Sequence, residues 1–184
     1  MRVLLDANVI YTYLSQRPDP YLRDCEAIVK YCKEQKLEGF IALQSLATVW
    51  YLMRKVPAEL RRNCLRELCK ICKLAVTDMT AVRQANDNVN FPDFEDNLQE
   101  CCARNIHADY IVTANLKDFV GHSQVPAITP ASLLELLKLQ SLFQTPPSPG
   151  EVRESPSTYY YTHVVVTRLL PGSPEGHRHF LQTA

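Results

Sequence analysis

Apolar positions along this chain change period several times. Val3-Leu4-Leu5 is an unbroken apolar run that stops at Asp6, the pattern of a strand buried on both faces. Helical spacing follows over 22–35, at Leu22, Cys25, Ile28, Val29 and Cys32. After Gly39, the run Phe40-Ile41-Ala42-Leu43 predicts a second strand. Ser45 is placed to cap the next helix, with Leu46, Val49, Trp50 and Met53 as its buried stripe. Pro57 can open a helix over 58–72 with apolar positions at Leu60, Cys64, Leu65, Leu68, Cys69 and Cys72. Leu74-Ala75-Val76-Thr77 predicts a third strand, followed by a helix over 79–86 and a turn through DNVNFP. Residues 93–106 return to helical periodicity, through Phe94, Leu98, Cys101, Cys102 and Ile106. Tyr110-Ile111-Val112-Thr113 is the next strand. Pro126-Ala127-Ile128 suits a short edge strand, and Thr129 caps PASLLELLKLQ with Pro130 at the first helical position.

Short apolar strands alternating with longer helices predict an α/β fold with a mainly parallel sheet. The chain has 184 residues, enough for one domain with a sizeable core. Its regular pattern ends near residue 142. Half of the twelve prolines lie beyond that point, and TPPSPGEVRESPS reads as a linker or disordered segment. TYYYTHVVVTRLL has strand propensity but lacks a partner strand. We therefore expect a domain over 1–142 and a Pro-rich, poorly ordered tail over 143–184.

Lys plus Arg number 20 and Asp plus Glu number 20, so any nucleic-acid surface must be local. No apolar run approaches the roughly 18 residues of a membrane span, and the N-terminus does not read as a signal peptide. The seven cysteines are odd in number and scattered through helical segments, which suits reduced, mostly buried thiols in a cytoplasmic protein. Cys69 and Cys72 form C-x-x-C, but neither Cys64 nor His107 stands at a familiar zinc spacing. With only Gly39 and Gly121 ahead of the tail, Gly-rich phosphate loops are excluded. Ser45 has no His/Asp pair nearby, so serine hydrolysis has little support.

Active sites of parallel α/β sheets lie beyond the carboxyl ends of the strands. Asp6 closes the first strand, directly before a helix that Asn8 leads. Asn115 follows the YIVT strand in TANLKDF. Asp93 and Asp96 stand one helical turn apart in FPDFEDNLQ and share a face. Two readings stand on these residues alone. The acids are helix caps and first-turn carboxylates, or they converge on a hard divalent ion such as Mg2+ or Mn2+ that activates water.

VLLDANVI at 3–10, DFEDNLQECCA at 93–103 and YIVTANLKDF at 110–119 together resemble the signatures of PIN-domain proteins. The likeness spans roughly residues 1–140, including PAITPASLLELL. It implies a three-layer α/β/α sandwich around a five-stranded mainly parallel sheet, often dimeric. It also implies a ribonuclease using Mg2+ or Mn2+, commonly the toxin of a toxin–antitoxin pair. Family acids map onto Asp6 and Asp96, with Asp93 as a neighbour and Asn115 at the fourth position. Asn8, Thr48, Thr113 and Asp118 are expected to support these groups. Thr48 stands where the family carries its second acid, and no acid occurs from Leu43 to Pro57.

Three hypotheses follow. One is a metal-dependent endoribonuclease resting on Asp6 and Asp96. Another is a catalytically impaired PIN-fold module that binds RNA or a protein partner. The last is an inactive toxin relic that holds an antitoxin in a hydrophobic groove between helices. Seven basic residues crowd 54–73, and Arg62, Arg66, Lys70 and Lys73 recur on one helix face, suited to RNA phosphates or simply to solvent. Trp50 falls on an apolar stripe and is expected in the core.

Overall fold

A computed structural model describes residues 1–91 and 93–144. The chain divides into two compact units, Met1–Leu133 and Leu134–Ala184. The linker and strand expected in the tail lie outside the described residues. In the first unit the elements run β1 (Arg2–Leu5), α1 (Ala7–Ser15), α2 (Leu22–Lys33), β2 (Glu38–Ala42), α3 (Leu43–Leu52), α4 (Ala58–Ile71) and β3 (Lys73–Ala75). They continue with α5 (Met79–Asp87), α6 (Phe94–Asn105), β4 (Tyr110–Val112) and β5 (Ala127–Ile128). Helix α7 (Pro130–Gln144) follows, its start capped by Thr129 Oγ1 accepting from Ser132 N at 3.1 Å.

Five strands form one sheet in the order β3-β2-β1-β4-β5, and every pairing is parallel. Val3, Leu4 and Leu5 of the central strand are fully buried, as their unbroken apolar run requires. Leu4 sits opposite Phe40 on one side and Ile111 on the other. The chain steps outward from β1 through β2 to β3, then returns to the other side of β1 for β4 and β5. Right-handed crossovers therefore place α1–α4 on one face and α5–α6 on the opposite face. The result is a three-layer α/β/α sandwich. Its direction of travel reverses between β1 and β4, where Asp6 N donates to Val112 O at 3.0 Å.

On the second face, Asn97 Nδ2 ties α6 to α5 through Ala85 O at 2.8 Å. Leu4, Phe40, Cys102, Ile111 and Phe119 belong to one buried cluster, in which Phe91 meets Phe119 edge to face at 6.0 Å.

Several local expectations change in the fold. Helix α3 begins at Leu43, so Ser45 lies inside it, fully buried, and caps nothing. Strand β3 stops at Ala75, and Val76 is exposed. On α4 only Leu68 is buried, while Leu60 is 54% exposed and Cys69 is also exposed. An amphipathic period marks the face that meets the core, but α4 packs at the sheet's edge and covers part of that stripe only. Trp50 is half-buried instead of enclosed, with Arg61 lying over its ring.

Candidate functional site

The reversal between β1 and β4 brings their carboxyl ends together, and Asp6 occupies the junction. Its backbone is extended, so it serves as the N-cap of α1. The carboxylate is 5% exposed. Oδ1 accepts from Ala7 N at 2.5 Å and from Gln99 Nε2 at 3.0 Å. Oδ2 accepts from Thr113 Oγ1 at 2.7 Å and from Asn8 Nδ2. Thr113 Oγ1 in turn accepts from Asn8 Nδ2 at 3.0 Å and Asn115 N at 2.9 Å. Asn8 Oδ1 takes the backbone N–H of Ala114 at 3.1 Å. Asn8 and Thr113 both donate to Asp6 Oδ2, and through Asn8 they tie the end of β4 to α1.

Gln99 is one residue that sequence reasoning missed. It is 2% exposed, and its Oε1 is buried without a protein partner. Its amide orientation is set by Asp6, since a flipped amide would press one oxygen on another. The available signal was spacing: Gln99 lies one turn after Asp96, on the buried face of α6.

Asp93 is the N-cap of α6. Its Oδ1 accepts from Glu95 N at 2.7 Å and Asp96 N at 3.2 Å, so the opening acid of DFED is in part a helix cap. Asp96 stands apart. Burial, and then the negative charges of Asp6, Asp93, Asp118 and Glu95, push its carboxyl up to about 7. Asn115 turns its side-chain amide to Asp118 Oδ2. Thr48 donates to Glu95 Oε1 at 2.8 Å, so an acid from α6 reaches the place where α3 carries none. Glu95 was not among the expected site residues.

The basic stretch divides into two. Lys70 pairs with Glu67 and Lys73 with Glu38, each at 2.6 Å, while Arg66 donates to Asn63 Oδ1 at 2.7 Å. Arg54, Lys55, Arg61 and Arg62 have no ion-pair partner among the described residues. Arg61 lies 3.9 Å from the Trp50 ring centre and Arg62 5.9 Å from it, while Arg54 lies 4.6 Å from the ring centre of Tyr51. Tyr51 is 63% exposed. Of the expected phosphate-binding face, Arg62 alone joins this aromatic group.

The PIN domain model matches residues 2–117, well over half of the chain. The chain belongs to the PIN-domain family. Solved structures with the same fold include VapBC2 from Rickettsia felis bound to a DNA fragment from its promoter. That match has 17% identity and a TM-score of 0.53, covering 70% of this chain and 98% of that one. A toxin–antitoxin complex from Klebsiella pneumoniae matches at 16% identity and a TM-score of 0.53, over 70% and 97% of the two chains. No curated protein matches the sequence.

The PIN resemblance implies Mg2+ or Mn2+ held by acids at this junction, and the donor set tests that implication. A carboxylate has about four acceptor positions. All four on Asp6 are taken by the protein's own donors. Among the described residues, no three Asp, Glu, His or Cys side chains converge closely enough to hold an ion. The side chains of this PIN domain do not fit an ion in the arrangement the resemblance implies.

Proposed function

We propose that this PIN-domain chain acts chiefly as an RNA-binding module in which metal-dependent cleavage is impaired. Saturation of Asp6 carries the reading. Asp6 works as the hydrogen-bonded junction of β1, α1, β4 and α6, and it keeps no lone pair for a cation. Thr48 and Asn115 bring no charge. RNA contact is supported by Arg54, Lys55, Arg61 and Arg62 beside Tyr51: cations without an ion-pair partner among the described residues meet phosphates, and an exposed ring stacks on bases without reading sequence.

The test uses the folded 184-residue chain and a pool of structured and single-stranded RNA, in Mn2+, in Mg2+ and in EDTA. Retention is expected to be equal in all three and to fall as salt rises. An Arg54→Ala, Arg62→Ala double variant is expected to weaken it about tenfold, because two phosphate contacts are lost. Cleavage that requires metal and disappears in an Asp6→Asn, Asp96→Asn variant would establish the ribonuclease reading instead. That competing reading draws on the charges crowded around Asp96, which a divalent ion would relieve.

Returning an acid to α3 examines the cause of the impairment. Thr48→Glu places a second carboxylate beside Glu95. Calorimetry is expected to show no tighter Mn2+ binding, since Asp6 keeps no acceptor position free for the ion; binding tighter by on the order of tenfold would show that the missing acid, and not Asp6, limits the site. Unchanged affinity would show that the missing acid is not what weakens the site.

A second reading, an antitoxin-like protein partner, has its own observation. A cavity of about 350 Å³ is lined by Tyr11 and Leu14 of α1, Leu52 of α3, Val56, and Leu60 and Cys64 of α4. Leu52 and Leu60 are both exposed there. This cleft, apolar apart from Ser15, Arg17, Lys55 and Asn63, suits the nonpolar face of a partner helix, and structural neighbours of this chain include a toxin–antitoxin complex.

A further inference from the structure

Two buried thiols meet, and a third lines the same cavity, at the end of the sheet opposite Asp6. Cys32, in the last turn of α2, and Cys72, which closes α4, both direct their sulfurs at Gly39 of β2. A Cβ on residue 39 would lie 2.6 Å from Cys32 Sγ and 3.3 Å from Cys72 Sγ. Glycine leaves the room that the two sulfurs share. Both cysteines are buried, at 4% and 6% exposure, yet they line a cavity of about 970 Å³ together with Cys69. Cys69 is exposed and stands one helical turn before Cys72. Lys36, Lys70 and Lys73 also line the cavity, with Glu38. A hydrogen bond from Cys72 holds the Cys32 thiol below its ordinary pKa, while Cys72 itself is pushed up.

We propose that Cys69, Cys72 and Cys32 form a thiol–disulfide exchange site for a low-molecular-weight disulfide, ending in a Cys32–Cys72 bond. The exposed Cys69 thiolate attacks one sulfur of the disulfide, forming a mixed disulfide and releasing one thiolate. Cys72 passes its proton to the Cys32 thiolate that faces it and attacks Cys69 Sγ, which expels the second thiolate. Cys32 gives that proton to the departing small thiolate, then attacks Cys72 Sγ and returns Cys69 to its thiolate. In sum, Cys32 and Cys72 lose two protons and two electrons, and the small disulfide is reduced to two thiols. The new bond would join the end of α2 to the end of α4 beside β2, closing a loop of about forty residues. The site lies at the amino ends of β2 and β3, away from Asp6 at the carboxyl end of β1, and does not depend on RNA binding.

The reduced 184-residue chain is incubated with oxidised glutathione, quenched, alkylated and peptide-mapped. The expected product is a Cys32–Cys72-linked peptide from protein that stays folded, with a midpoint of thermal unfolding raised by about 5 °C. Cys69→Ser is expected to give the same product about tenfold more slowly, because the accessible first nucleophile is gone. Cys72→Ser is expected to stop at a glutathione adduct on Cys69. Full alkylation of Cys32 and Cys72 after oxidation of folded protein would overturn the proposal, and so would a bond that forms only in urea. Product formed at the wild-type rate in Cys69→Ser would remove Cys69 from the exchange.

Discussion

Asp6→Ala is expected to destabilise the fold by about 3–5 kcal/mol, the largest effect of any single change at the junction. The side chain is buried and accepts from Ala7 N, Gln99 Nε2, Thr113 Oγ1 and Asn8 Nδ2. Alanine removes all four acceptor positions at once, and each donor left dry inside a protein costs about 1–3 kcal/mol before relaxation. Asn8 and Thr113 retain their bond to each other, which limits the total. Asp6→Asn should cost less but still destabilise, because its amide N–H₂ would face donors. Urea unfolding in EDTA measures both. A carboxylate that served mainly as an ion's ligand would behave in the opposite way, since removing it relieves repulsion. A neutral or stabilising Asp6→Asn would therefore remove the basis for the impaired-site reading.

Asp96→Asn is expected to act in the other direction, and only at high pH. The Asp96 carboxyl is pushed up to about 7 from an ordinary 3.8, by burial first and then by Asp6, Asp93, Asp118 and Glu95. The folded state thus holds this proton more tightly than the unfolded chain. Its contribution is complete below about pH 4 and is lost as the pH rises through about 7. The group is only half-buried, so solvent screening reduces the effect to about 1–2 kcal/mol. Asparagine keeps the shape and cannot ionise. Unfolding curves for the variant and the parent should coincide at pH 4 and separate at pH 8 in favour of the variant. Equal stability at pH 8 would show that the surrounding carboxylates do not press on Asp96.

Much of the layer architecture was legible along the chain. Val3-Leu4-Leu5, Phe40-Ile41-Ala42 and Tyr110-Ile111-Val112 all proved to be strands, because a strand buried on both faces has no polar position to offer. Helix interiors were equally plain at Cys25, Ile28, Val29 and Cys32. Boundaries and depth were less so. Ser45 carries a capping side chain, yet Ala42 ends its strand directly into α3. Phe94 sits at an apolar-looking position and is 50% exposed. Leu60 and Cys69 follow α4's period but find no core opposite them.

The sequence alone determined the α/β alternation, the strand-end position of Asp6, and the presence of Asp93 and Asp96 on one helix start. Those are local properties, set by period, capping chemistry and the order of residues. Only the tertiary structure decided what the acids do. Asp93 became a cap, Glu95 met Thr48 across two helices, and Gln99 came from α6 to complete the ring of donors on Asp6. A carboxylate's role depends on which groups occupy its lone pairs and on how much water it keeps. For Asp6 three of the four donors are side chains, and two of those, Gln99 and Thr113, arrive from distant parts of the chain. Whether an acid offers its charge to an ion or spends it on the protein's own hydrogen bonds is therefore settled by the fold.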